Sequence, residues 1–384
     1  MANGHARLSA SASDRWMNCP GSVRLIELCP EQESSEFADE GSAAHALAER
    51  CLTEGADAWM YVGQTFEGNG RVFVADADMA THVQVYLDYV RNAAGDADLV
   101  VEHRIENAEL GESFGGTADA YCHRIKDGGG FLHVFDFKYG AGVAVAAEGN
   151  TQMMYYAFGV LKNLGVAKGA SLHVGMTIVR PRTPVGDPVQ EVWTTSDAIL
   201  DWAETELLPA MAAVDCKDAP LQLGDHCRFC PARIVCPKMR ENFDAVATGE
   251  TSLVSLLEGD ALAEAYGRIE AAKMYIRAVE DECLKRALAG DAVPGTKLVA
   301  GRSERKWKDG AETILAATLG DKAYSEPSLK SPAQIEKEVG GKALVAEWAF
   351  KAEGRPSLAA ADDRRAALDV SALGSNFAAI PTGG

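Results

Sequence analysis

Hydrophobic and polar positions follow two periods along the chain. Apolar residues recur with helical spacing in segments 41–54, 76–94, 150–164, 196–214 and 260–288. Strand-like runs occupy segments 99–105, 116–125, 131–138 and 171–179. Asp127-Gly128-Gly129-Gly130 predicts a hairpin turn between the second and third runs. This order predicts an α/β (α+β) fold with a central mixed sheet flanked by helices.

A chain of 384 residues has room for more than one domain. We expect a first domain over residues 1–245 and a long helical segment over 246–290. The helical spacing of apolar residues ends before Val293-Pro294-Gly295. We therefore expect residues 291–384 to form a separate C-terminal region, whose fold the sequence does not predict. Its Gly-rich tail is expected to be disordered.

The composition is that of an ordinary soluble protein, with 47% apolar and 24% charged residues. No apolar run is long enough for a membrane helix, and the first residues lack the apolar segment of a signal peptide. We therefore expect a cytoplasmic protein with reduced cysteines. The net charge of −19 argues against a sequence-independent DNA coat, although a bound divalent cation can supply local positive charge.

The run Phe131–Lys138 carries the main chemical signal. Alternation places Asp136 and Lys138 on one face of this strand, after Leu132 and Val134. Asp119 lies on the preceding strand, behind a pair of glycines. Carboxylates on adjacent strands suit Mg²⁺ or Mn²⁺, and a lysine beside them can orient or deprotonate an attacking water. A surface ion pair at a strand end is the alternative reading of Asp136 and Lys138.

Two helices add polar pairs with a spacing of four residues, which places each pair on one helix face. His45 and Glu49 form the first pair, and Gln152 and Tyr156 form the second. Taken singly, such residues are usually satisfied polar groups. Their occurrence in the same order as the two aspartates favours a common site.

The ordered set His45-x-x-x-Glu49, Gly116-x-x-Asp119, Asp136-x-Lys138 and Gln152-x-x-x-Tyr156 resembles the RecB-like branch of the PD-(D/E)XK nucleases over residues 10–240. Ala118 replaces the proline of the nominal motif. The resemblance implies one or two Mg²⁺ or Mn²⁺ ions bound by His45, Asp119, Asp136 and the Phe137 carbonyl. It also implies Lys138 as the catalytic lysine, Glu49 as support for the metal or its water, and Gln152 and Tyr156 as site residues that contact DNA.

The cysteines supply a second signal. Cys227, Cys230 and Cys236 form C-x2-C-x5-C-P and need a fourth ligand, for which Cys19 in Cys19-Pro20 is favoured over Cys29 and His226. Cysteine followed by proline is typical of iron–sulfur runs, whereas structural zinc usually has two close pairs of ligands. The spacing thus favours a cluster over zinc. Some RecB-like nucleases carry one cysteine before the core and three after it, which implies a 4Fe–4S cluster.

Basic residues surround an aromatic one in the C-terminal region: Arg302, Arg305, Lys306, Trp307 and Lys308. This composition suits DNA contact, and a solvated strand with one core tryptophan is the alternative. The layout also resembles a phage and prophage protein family with this nuclease signature. That resemblance implies an exonuclease of phage DNA recombination or replication, acting on duplex ends or single strands in the bacterial cytoplasm beside a single-strand-binding or annealing protein.

Two other functions stay open from the sequence. One is a non-catalytic nucleic-acid-binding protein with a structural iron–sulfur or zinc site. The other is a zinc-stapled structural protein of phage assembly, which predicts a colourless protein. The complete set of active-site residue types favours the nuclease over both.

Overall fold

The structure is a computed structural model. It describes residues 6–30, 34–111, 113–126, 129–140, 146–183, 187–248, 259–300, 305–308, 310–325, 328–337, 340–351 and 356–360. The chain divides into two compact units, the first running to Ala278 and the second beginning at Val279. The division therefore falls inside the long predicted helix, upstream of Val293.

The strands of the first unit are β1 (Leu8–Ser9), β2 (Thr65–Gly68), β3 (Arg71–Val74), β4 (Asp98–Ile105), β5 (Phe114–Lys126), β6 (Gly129–Phe137), β7 (His173–Val179) and β8 (Val189–Thr195). All except β2 and β3 belong to one six-stranded sheet. Within it, β4, β5 and β6 are antiparallel neighbours, β6 is parallel to β7, and β8 is antiparallel to β7. The predicted central mixed sheet flanked by helices is confirmed.

The helices of this unit are α1 (Ser13–Asn18), α2 (Ser22–Glu27), α3 (Glu36–Glu54), α4 (Ala77–Ala94), α5 (Thr151–Asn163), α6 (Ser196–Trp202), α7 (Leu208–Val214), α8 (Pro237–Thr248) and α9 (Gly259–Leu288). Helix α5 connects the parallel strands β6 and β7, as a parallel pair requires. Within the described residues, no helix combines the length and the apolar character needed to cross a membrane.

The sheet has a separate apolar core on each face. Leu132 and Val134 of β6 pack with α5, α6 and the N-terminal Trp16 on one side. Phe135 and Phe137 of the same strand pack with α3 and α4 on the other. Strand β6 is therefore buried on both faces, which fixes the direction of every side chain along it.

Three local features differ from the predicted elements. Helix α3 begins at Glu36 because Ser35 Oγ caps it by accepting the Ala38 N–H at 3.2 Å. The predicted helix over 196–214 contains a π-helical turn at Ala203–Leu207. The β2–β3 hairpin and β8 are additional strands. The hairpin turns at Asn69-Gly70, both with positive φ, a combination typical of type I′ turns.

The second unit has a small core of its own, to which α10 (Ala311–Leu319), α11 (Pro332–Ile335) and α12 (Gly341–Trp348) contribute. Its strands form three antiparallel pairs: β9 (Thr296–Ala300) with β14 (Pro356–Ala360), β10 (Arg305–Trp307) with β13 (Ala349–Lys351), and β11 (Tyr324–Ser325) with β12 (Ser328–Leu329). The tail that we expect to be disordered lies outside the described residues.

Candidate metal centre

The end of β6 carries a buried acid and a half-buried lysine side by side. Asp136 is only 2% exposed and follows Leu132 and Val134 on the face that packs against α5. Lys138 Nζ lies 3.0 Å from each Asp136 oxygen and donates its hydrogen bond to Oδ1. The predicted shared face of these two residues is therefore present in the structure, and their contact joins a buried carboxylate to a half-buried amine.

Helix α5 adds an amide that contacts both of these groups. Asn150 caps the helix by accepting the Met153 N–H at 3.1 Å. Gln152 then donates from Nε2 to Asp136 Oδ1 at 2.9 Å, and its Oε1 accepts from Lys138 Nζ at 3.2 Å. These two bonds fix the orientation of the amide.

Tyr156 lies one turn further along α5, with its hydroxyl 3.5 Å from Gln152 Nε2. Its ring lies close to the backbone of Gly116. A Cβ added at Gly116 would lie 3.2 Å from the ring, closer than an ordinary contact. The glycine ahead of Asp119 thus gives β5 and α5 the close approach that the sequence suggests.

Asp119 reaches the same place from β5, just where the β5–β6 ladder ends at Ala120 and Phe135. Its Oδ2 accepts the Phe137 N–H at 2.7 Å. Burial alone would raise the pKa of Asp119. The facing His45 and Lys138, together with the Phe137 N–H, outweigh burial and lower this pKa below its usual value.

His45 comes from α3, with Nδ1 3.4 Å from Asp119 Oδ1 and its ring tilted against Phe137. Burial disfavours the imidazolium, but the Asp119 and Asp136 charges overcome this and raise the pKa of His45 to about 9. A cation bound here would have to displace this proton, because the neutral imidazole is the form that ligates a metal.

Glu102 is a further acid at this site that the sequence analysis missed. One ligand atom each from His45, Glu102 and Asp119 lies within 4.8 Å of the others. Burial, then the nearby Asp119 and Glu49 charges, raise the pKa of Glu102 to about 7. Its φ is +46°, an uncommon value for a non-glycine residue, and the β4–β5 pairing omits Glu102 opposite Asp119.

The donor set suits a hard divalent cation. Burial raises the pKa of Asp136, the Lys138 charge opposes this, and the Asp119 charge adds to it. Asp136 Oδ2 is buried and accepts no hydrogen bond from the described residues. Its charged neighbour is the Lys138 amine at 3.0 Å. The group of ligand atoms within 4.8 Å of one another consists of His45, Glu102 and Asp119, without Asp136. Two carboxylates and an imidazole so close together are a ligand set that Mg²⁺ or Mn²⁺ would bind.

The remaining predicted residues take different places. Glu49 is exposed on α3 and influences the site through its charge on Glu102. Phe137, the predicted carbonyl ligand, ends β6, with its ring stacked on Tyr86 at 4.7 Å. Both residues therefore border the group of acids around His45.

The four favoured cysteines line one cavity, together with His226 and apolar residues: Cys19, Cys227, Cys230 and Cys236. Cys19 Sγ accepts the Gln222 N–H at 3.3 Å, and the Gly21 N–H bonds to Pro220 O. These contacts join the N-terminal arm to the segment that precedes the cysteine triplet.

The cysteines of the cavity are free rather than disulfide-bonded. Burial raises the pKa of Cys227 to about 11, so this sulfur is a neutral thiol until a metal displaces its proton. Arg15 hydrogen-bonds Cys230 and lies near Cys19, a contact suited to negatively charged sulfurs. Cys29, the rival ligand, does not line the cavity and bonds to Leu25 O at 3.2 Å.

A family model described as a protein of unknown function, DUF2800, matches residues 5–366. The chain belongs to the DUF2800 family. The match includes every residue of the metal centre and of the cysteine cavity, and it extends through most of the second unit.

The C-terminal basic residues are only partly visible in this DUF2800 chain. Arg302 and the side chains of Arg305 and Lys306 lie outside the described residues. Trp307 packs beside the core of the second unit and donates to Lys330 O at 3.2 Å, while Lys308 is exposed and contacts the Glu347 carbonyl. DNA contact by this segment stays a prediction.

Proposed function

We propose that the protein is a metal-dependent DNA nuclease of the PD-(D/E)XK class, related to its RecB-like branch. One observation carries the proposal. His45, Glu102 and Asp119 lie within ligand distance of one another, and Asp119 also contacts β6 beside Asp136 and Lys138. Residues from α3, β4, β5 and β6 thus converge on a place that Gln152 and Tyr156 also reach from α5.

The cation would be held by His45, Asp119, Asp136 and the Phe137 carbonyl, with Glu102 as an added ligand. When bound, it would supply positive charge at a phosphate and lower the pKa of a water molecule. The site offers neutral and negatively charged ligand atoms from at least three residues, which is enough for one or two ions.

The side chains of the chain itself have separate tasks. Lys138 offers a cationic amine to the phosphate or to the attacking water, because its pKa is raised by Asp136 and Asp119 despite burial. Gln152 holds that amine and the Asp136 carboxylate in a fixed relation. Tyr156 lies on the α5 side of the site, with its hydroxyl beside the Gln152 amide.

The cysteine cavity is proposed to hold a 4Fe–4S cluster, with zinc as the less favoured occupant. Four sulfurs on one cavity and a backbone N–H donated to Cys19 fit the ligation of such clusters. Its task is to join the N-terminal arm to the distant triplet. Anaerobic purification followed by iron and zinc analysis tests this. Zinc with no iron would remove the cluster from the proposal.

The proposed setting is phage DNA recombination or replication in the bacterial cytoplasm, where an exonuclease leaves strands ready for annealing. Duplex ends or single strands are the substrates, and a single-strand-binding or annealing protein is the proposed partner. The chain as a whole has a net charge of −19, so DNA binding needs local positive charge. The basic C-terminal segment can supply it.

The test is an assay on end-labelled duplex and single-stranded DNA with Mg²⁺ or Mn²⁺. We expect cleavage by the wild-type protein and none by Asp136→Asn. The matched control is Asp201→Asn on α6, whose carboxylate forms a surface ion pair with Lys168 at 2.6 Å. Equal cleavage by wild type and Asp136→Asn would contradict the proposal. Wild-type protein that binds DNA without cleaving it would favour the non-catalytic binding protein.

A further inference from the structure

Arg180 is a buried arginine that the metal centre does not use. It follows β7 directly and is only 7% exposed. Its Nε has no hydrogen-bond partner among the described residues. A guanidinium keeps its charge at any ordinary pH, so burial without a partner for one of its donors costs free energy. Such a group calls for a ligand that is brought from outside.

The strand register places Arg180 beside Lys138. Phe137 pairs with Val179 in the parallel β6–β7 ladder, and the Lys138 N–H donates to Val179 O at 2.9 Å. The ladder therefore continues to Lys138 and Arg180, whose Cα atoms are about 5 Å apart at normal strand spacing. The Arg180 N–H donates to Pro188 O at 2.7 Å, so the backbone of β7 is still held in the sheet at this point.

The same register fixes the face. Ile178 packs in the core on the α5 side, paired with Asp136. Two residues further along an extended strand, the side chain points to the same face. Arg180 thus lies on the face of the sheet that carries Asp136 and Lys138 and packs against α5, one strand further from Asp119.

We propose that Arg180 binds a phosphate of the nucleic-acid strand next to the bond that is cleaved, an inference that rests on the proposed nuclease function. A phosphate presents several acceptors to the planar guanidinium and neutralises its charge. The cation and Lys138 would take the reacting phosphate, while Arg180 takes its neighbour and sets the position of the strand. The phosphate is either internal or a terminal 5′-phosphate, which is the same chemistry at two positions.

The experiment measures binding of fluorescein-labelled DNA by anisotropy in the Asp136→Asn background, which prevents cleavage. Arg180→Gln is compared with the parent over a range of salt concentrations, with 5′-phosphorylated and 5′-hydroxyl strands. We expect the Kd to rise roughly 10- to 100-fold, as for loss of a charged hydrogen bond. The slope of log K against log salt should fall by about 0.7 to 0.9. If Arg180→Gln raises the Kd for the 5′-phosphorylated strand but not for the 5′-hydroxyl strand, Arg180 binds the terminal phosphate. If it raises the Kd equally for both strands, Arg180 binds an internal phosphate.

Thermal melting of the DNA-free protein distinguishes this role from a structural one. Removal of a buried, incompletely paired charge should leave the Tm of Arg180→Gln unchanged or raise it. A lower Tm with unchanged Kd and salt slope would overturn the proposal. The matched control is Arg124→Gln, at the end of β5 away from Asp119. Arg124 forms an ion pair with Asp96 there, and its replacement should not change DNA binding.

Arg180→Lys keeps the charge and covers the case in which the glutamine variant does not fold. It should weaken binding by roughly 3- to 10-fold with little change in salt slope, because an ammonium cannot replace the planar fork. An unchanged Kd in folded Arg180→Lys would also overturn the proposal. If the protein cleaves DNA and both Arg180 variants bind normally, only this inference fails. If the wild type neither binds nor cleaves DNA, the nuclease proposal fails as well.

Discussion

The metal centre and the cysteine cavity differ in how the fold holds them. In the metal centre, Asp136, Lys138 and Gln152 hold one another through hydrogen bonds on a strand and a helix with cores behind them. In the cysteine cavity, the sulfurs come from the arm after α1 and from a segment with mostly 3-10 and turn structure. We therefore infer that the first site is supported without the proposed cation, whereas the second would need the proposed cluster to hold the surrounding segments together.

This difference predicts opposite costs on mutation. Changes in the metal centre should remove activity with little loss of stability, since crowded charges are relieved. Changes in the cysteine cavity should remove stability first.

The largest expected effect is on stability, for Cys19→Ser. The proposed cross-link closes a loop of more than two hundred residues, from Cys19 to the triplet, which corresponds to about 5 kcal/mol in the chain-entropy description. Urea unfolding and iron content measure it. The control is Cys216→Ser, an exposed cysteine outside the cavity, which should keep both. Equal stability of the two variants would show that the cavity does not staple the domain.

The second effect is on activity, for Asp119→Asn. We expect at least a roughly 1000-fold loss of cleavage, equivalent to about 4 kcal/mol, because a cation loses a charged ligand. The Tm should fall far less than for Cys19→Ser, because the lost attraction to His45 and Lys138 is offset by relief of the repulsion that raises the pKa of Asp136 and Glu102. A large fall in Tm would contradict the idea that this site is supported by the sheet alone.

The third effect tests the amide that orders the centre. Gln152→Leu removes the bonds to Asp136 and Lys138 but keeps the volume. We expect kcat to fall roughly 10- to 100-fold with KM nearly unchanged, because the residue positions two groups. Single-turnover kinetics at saturating DNA measure the step. A change in KM alone would indicate a DNA contact instead.

The smallest expected effect is a pH dependence of stability that comes from the sheet and not from the metal centre or the cysteine cavity. His133 on β6 is buried and bonds to Thr177 at 2.7 Å. Burial lowers its pKa to about 4, against a partial opposing effect of Glu191. The folded state therefore takes up fewer protons, so stability is complete above pH 6.5 and is lost as the pH falls towards 4.

From pH 7 to pH 5 this group should cost about 2 kcal/mol of unfolding free energy. His133→Gln should reduce that difference, as measured by urea unfolding at both pH values. If the difference in unfolding free energy between the two pH values is unchanged in His133→Gln, groups other than His133 cause the loss of stability in acid.

Apart from Asp119 on the preceding strand, the residues of the metal centre that sequence reasoning found have a spacing inside one element. Asp136 and Lys138 share a strand face, and Gln152 and Tyr156 share a helix turn, so a period of two or about four residues is enough to group them. Glu102 and Arg180 were missed because they depend on pairing between strands. Glu102 lies opposite Asp119 on β4, and Arg180 lies beside Lys138 beyond β7.

The sequence by itself determined the alternation of side chains along β6 and the order of the polar motifs, because these depend on short-range periodicity. The tertiary structure decided which acids face one another, which cysteine joins the triplet, and the positive φ of Glu102. Those outcomes depend on register and on packing between segments far apart in the chain. No local period encodes them, since every residue in a strand has the same two choices of face until its neighbours are fixed.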